Sequence, residues 1–150
     1  MSANINDVSL ATFAQYIDSL KPGMKREYDR GVNRDLSQQH WHELFKRNVT
    51  TVLKQIYADS LTQLQLIPFK PLGMEIDQEL HELTFEILKP LEGLVDELLQ
   101  YAIQKHRTSC ALSNFPSEHN PSREYIDDVV ETLSNDLQLF ALQLNSVLTH

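Results

Sequence analysis

A chain of 150 residues with 41% hydrophobic and 23% charged residues has the size and balance of one folded domain, which excludes a disordered tail and a membrane-embedded bundle. Its one cysteine, Cys110, excludes an intramolecular disulfide and any zinc centre that needs paired thiolates. The net charge of −8 is uneven: residues 1–70 carry nine Lys/Arg against seven Asp/Glu, and residues 71–150 carry four against fourteen. Such asymmetry bears on partners rather than on fold. With four glycines and six prolines, few and far apart, the spacing suits helices and not a series of short strands. The N-terminus lacks a basic region followed by an apolar run, and no stretch approaches the roughly 20 apolar residues of a membrane span, so a cytoplasmic protein is expected.

In chain order, residues 7–20 place Val8, Ala11, Phe13, Ala14, Ile17 and Leu20 near one helix face, and Lys21-Pro22-Gly23 is expected to end that helix. From Met24 to Leu36 the pattern predicts one or two polar helical turns with a break at Gly31. Ser37 is a candidate cap for the next helix, in which Trp41, Leu44, Phe45, Val49, Val52, Leu53, Ile56, Leu61 and Leu64 recur at helical spacing. It should stop before Pro68. A fourth helix begins near Met74 with Ile76, Leu80, Leu83, Ile87 and Leu88, and Pro90 predicts a kink or break there. The pattern resumes from Leu91 to Ile103 and fades at His106-Arg107, leaving 107–121 as a long connector. Asn120 and Pro121 suit the start of the last helix.

That last stretch is the most regular. Ile126, Val130, Leu133, Leu137, Phe140, Leu144 and Val147 are separated by steps of 4, 3, 4, 3, 4 and 3, which draws one stripe along a helix. The predicted fold is therefore all-α: a single domain over 1–150, a bundle of about five helices. Leu139 and Leu142 fall on the far side of the stripe, where a simple bundle would be wet, and this pair is the candidate contact for a second copy of the chain.

Two charged features stand beside it. Glu75, Glu79, Glu82 and Glu86 form an acidic row at 4, 3, 4 spacing next to an apolar face, a surface suited to a basic protein partner. Residues 21–54 hold eight basic and four acidic residues, and Lys25, Arg26, Arg30, Arg34, Lys46 and Arg47 are the candidates for phosphate contacts in a helix-turn-helix-like arrangement. The acidic remainder opposes that reading, because phosphate attraction dominates nucleic-acid affinity.

Catalytic and cofactor patterns are missing. There is no Gly-rich phosphate loop and no Gly-x-Ser-x-Gly elbow. Asp77 and His81 share a face, but no Glu-x-x-His pair of the di-iron type accompanies them. No cofactor and no metal are expected. The reading that follows is a non-enzymatic helical protein acting through protein–protein interaction, self-associating through its C-terminal helix. The alternatives are a nucleic-acid-binding regulator using 21–54, and a small-ligand bundle with an apolar cavity at the Pro90 break.

Overall fold

In the computed structural model the described residues are 5–33, 41–69, 76–112 and 123–148. All five regular elements are helical: α1 (Ile5–Ser19), α2 (Lys21–Asn33), α3 (Trp41–Leu66), α4 (Ile76–Leu112) and α5 (Arg123–Leu148). They make four helices rather than about five, because α1 and α2 abut at Leu20 and form one bent helix.

The bend has a simple origin. Pro22 lacks an N–H and its ring crowds the carbonyl four residues back. The chain tightens with a Leu20 N–H to Ile17 carbonyl bond of 3.0 Å, then restarts with Met24 N–H to Leu20 carbonyl at 2.9 Å. Pro22 thus occupies the first turn of α2, where its missing donor has no intrahelical acceptor to lose. The helix resumes because the buried positions run across the joint: Ser9, Phe13 and Ile17 before it, Met24 and Tyr28 after it. The expected break at Gly31 is not there either, since α2 continues to Asn33. Gly31 instead admits a close approach, as a Cβ on it would lie 3.0 Å from Asn48 Oδ1.

Helix α3 stops before Pro68 as its sequence dictates. Helix α4, in contrast, is one element of 37 residues with Pro90 inside it, so the expected break does not occur. Ile87, Leu91, Leu94 and Leu98 are all buried around that proline, and their packing outweighs a lost backbone bond worth about 3 kcal/mol. The helix also passes the expected end at His106 and reaches Leu112, which removes six residues from the predicted connector. The candidate caps Ser37, Asn120 and Pro121 lie outside the described residues.

Pairings between helices give the topology. Asn48 of α3 meets Gly31 of α2, and Ser9 Oγ donates to the Pro68 carbonyl at 2.6 Å, so the bent helix and α3 are antiparallel. Glu97 lies by Lys21, and Asp29 by Lys105, so the bent helix runs parallel to α4. Lys46 pairs with Asp128 and Tyr57 with Phe140, so α3 and α5 are parallel. Thr84 donates to Asn145 at 3.1 Å while Leu99 and Val130 line one groove, which makes α4 and α5 antiparallel. Two antiparallel hairpins therefore pack face to face, and α1–α2 and α5 occupy opposite corners. One continuous core, from Phe13 to Leu144, fills the middle.

The C-terminal stripe holds its place with one shift. Leu133, Phe140 and Leu144 are buried, but at the N-terminal end Val129 is fully buried and Val130 is 41% exposed. A straight helix drifts about 20° per heptad against a strict 7-residue repeat, so a position two heptads before Leu144 turns off the core. Gly93 sits exposed inside α4 with nothing within 4 Å of a notional Cβ. Gly93→Ala should accordingly stabilise the protein by about 0.5–1 kcal/mol in urea unfolding; a loss of stability would show that its backbone is not regular helix.

Candidate functional site

Leu139 and Leu142 lie one turn apart on the outer side of α5 and are 60% and 66% exposed. Phe140, between them in sequence, turns inward onto the Tyr57 ring, with centroids 5.4 Å apart. The core is thus complete without the two leucines. The other large exposed hydrophobics among the described residues are Val8, Leu66, Phe85 and Val130. The pairings of Ser9 with Pro68, Tyr57 with Phe140 and Thr84 with Asn145 put Val8, Leu66, Phe85, Leu139 and Leu142 in the same half of the bundle. Val130 lies in the other half. Phe85 is the least free of these, because Lys89 Nζ stands 4.8 Å from its ring centre.

In the acidic row, Glu79, Glu82 and Glu86 are exposed on α4; Glu75 lies outside the described residues. Lys89 pairs with Glu86 at 2.9 Å, and Gln78 donates to Glu82 at 3.3 Å. His81 is exposed on the same helix. No group of three or more possible metal ligands occurs among the described residues.

The basic segment is drawn into ion pairs. Lys21 pairs with Asp18 at 2.8 Å, Arg30 with Glu27 at 3.0 Å, and Lys46 with Asp128 at 3.1 Å. Lys25 lies 4.0 Å from Glu97 and 5.5 Å from the Tyr101 ring centre. Arg47 is exposed on α3, and Arg34 lies outside the described residues. Most of these cations therefore face carboxylates of their own chain, which lowers the charge they offer to a phosphate backbone. Arg26 differs: among the described residues it has no acidic partner, and its guanidinium lies back over Gly23, 3.8 Å from that residue's notional Cβ.

A polar seam joins α2 to α4. Tyr101 Oη donates to Asp29 Oδ2 at 2.7 Å, Lys105 stands 3.8 Å from the same carboxylate, and the Tyr28 and Tyr101 rings meet edge-on at 6.1 Å. Desolvation, reinforced by the bond to Asp29, raises the Tyr101 hydroxyl above its usual range. Burial pushes Tyr28 and Tyr57 higher still, with the Asp29 and Asp136 carboxylates adding to it. These tyrosines stay neutral at any physiological pH and act as packing groups.

Two of the surface recesses are lined by described residues. One, of about 260 Å³, lies between α4 and α5 and begins at Glu92, two residues beyond Pro90. The larger, of about 800 Å³, lies between the α1–α2 bend and α3. The break at Pro90 with which an apolar cavity was expected does not form, and the larger recess lies at the Leu20 bend. Asn48 forms part of its wall, is only 8% exposed, and its Nδ2 has no hydrogen-bond partner among the described residues. A buried amide left unpaired costs about 1–3 kcal/mol. The signal for it is present in the sequence, since Asn48 interrupts the apolar positions Phe45, Val49 and Val52. The size of the cleft is not, because it depends on how far the bend carries α2 from α3.

No family model, curated protein or solved structure matches this chain.

Proposed function

We propose that this chain is a small non-enzymatic helical protein that works by binding other proteins, and that it pairs with a second copy through the outer face of α5. The observation that carries the reading is the exposure of Leu139 and Leu142 beside an already closed core. Leucines in neighbouring turns form one patch, and a two-fold pairing would bury each of them twice, once per subunit. The exposed row Glu79, Glu82 and Glu86 supports a basic protein as the further partner, by charge complementarity.

Size-exclusion chromatography with light scattering should return about twice the 17.3 kDa chain mass. Leu139→Glu with Leu142→Glu should weaken the pairing at least tenfold, about 1.4 kcal/mol, with helix content unchanged. A wild-type protein that remains a monomer at high concentration, or a double variant that pairs as tightly as the wild type, would overturn the assignment. Basic-segment binding to nucleic acid is the less favoured reading, because Lys21, Lys25, Arg30 and Lys46 already face carboxylates.

A further inference from the structure

We infer that the groove between α4 and α5 docks an amphipathic basic helix of another protein, its apolar side chains on the groove floor and its Lys or Arg against the rims. The floor is apolar: Val95 and Leu99 of α4 and Val130, Leu133 and Leu137 of α5 line it. From Val130 to Leu137 the groove follows α5 for about two turns, roughly 10 Å at 1.5 Å per residue. A helix supplies apolar anchors at that period, one turn apart on a single face. The recess of about 260 Å³ is smaller than the roughly 300–1,000 Å³ of small-molecule sites, which suits side chains of a partner helix rather than a whole ligand. Val130 is 41% exposed, so part of the floor stands in water until a partner covers it.

Charge selects the partner. Glu92 and Asp96 stand one turn apart on the α4 rim, and both are exposed. Asp127 and Glu131, also exposed, lie two turns and one turn before Ser134 on the α5 rim. No Lys or Arg lines the groove, and none of these four carboxylates is ion-paired among the described residues. Elsewhere the chain answers its acids: Asp18 with Lys21, Glu27 with Arg30, Glu86 with Lys89 and Asp128 with Lys46. Two unanswered acidic rims beside an apolar floor are complementary to a helix with cations on both sides of an apolar stripe. A second copy of this chain fits less well, because Lys21, Lys25, Arg30 and Lys46 already face carboxylates of their own chain. The inference rests on the proposed function only for a basic partner; it does not depend on self-pairing through α5.

The probe is a synthetic helical peptide with leucine along one face and lysine on both flanks, titrated into the full chain. Calorimetry reads the affinity and ¹H–¹⁵N correlation spectra read the location. Binding should saturate and shift the amides of Val95, Asp96 and Ser134. Glu92→Gln with Asp96→Asn should weaken it at least tenfold, about 1.4 kcal/mol, whereas Glu79→Gln with Glu82→Gln, the same loss of charge away from the groove, should change it less than about twofold. Val130→Lys should also weaken it at least tenfold, and a peptide with serine in place of leucine should not bind. Equal weakening by the two neutralised pairs, or shifts confined to the Glu79–Glu86 row, would overturn the groove and leave a basic partner standing. No binding of the peptide at all would remove the basic partner as well. Self-pairing is read separately, by light scattering without peptide; a dimer lost in Val130→Lys would make the occupant a second copy and overturn the inference.

Discussion

Phe140→Ala should cost the bundle about 3–5 kcal/mol, the range for emptying a buried aromatic site. Phe140 is almost wholly inaccessible and lies against the Tyr57 ring at the seam of α3 and α5. Those two helices are not joined in sequence, so little local structure can take up the void. The measurement is urea unfolding followed by circular dichroism. A midpoint shift equivalent to less than about 1 kcal/mol would mean that α5 is not docked as described. The neighbouring change Leu139→Ala, at an exposed position, should be close to neutral in the same experiment, so the pair separates core from surface on one helix.

Pro90→Ala should act in the opposite direction and stabilise the protein by about 1–3 kcal/mol. An interior proline deletes one backbone hydrogen bond and crowds the carbonyl four residues earlier, which here belongs to Glu86. Alanine restores the donor and has the highest helix propensity. Helix α4 is already continuous on both sides, with Ile87 and Leu91 buried, so no rearrangement is needed to collect the gain. The full gain of about 3 kcal/mol requires that the backbone straighten; partial relief gives the lower figure. Thermal unfolding checks it. A lower midpoint would show that Pro90 sets a curvature on which the packing of Leu91 and Leu94 depends.

The two substitutions mark where local pattern suffices and where it does not. Apolar spacing is enough to identify every helix of the bundle core, because each buries a stripe and the stripe is written at period 3.6. Proline and glycine are less faithful. Pro68 does end a helix, whereas Pro90 sits inside one and Pro22 merely bends one. A proline's local cost is about the same in each place, and what differs is the burial gained by continuing. Around Pro90 four apolar side chains on both sides are buried; at Pro68 the helix has already ended at Leu66, with Ile67 and Phe69 packed on either side of the proline.

The candidate surfaces divide in the same manner. That Leu139 and Leu142 face outward follows from their angular offset against Phe140 and Leu144, and residue order alone makes it legible. That Val130 leaves the stripe in favour of Val129 is not legible there, since it depends on α5 being straight rather than supercoiled. The basic segment reads as an exposed positive patch, but Glu97 and Asp128 come from helices far along the chain to meet Lys21, Lys25 and Lys46. Charge pairing across helices is a property of topology, and residue order does not report it.

The cleft is the clearest case. Leu20, Gly31 and Asn48 are unremarkable as residues, and they become the bend, floor and wall of one recess only once α2 lies antiparallel to α3. Sequence alone determined that this chain is all-helical, with one core and a wet leucine pair on its last helix, because those properties follow from side-chain period. Tertiary structure alone decided that the first helix bends, that the fourth does not break, and that the Asn48 amide is buried. Each of those is set by the energy of packing between helices, a term that local pattern does not contain.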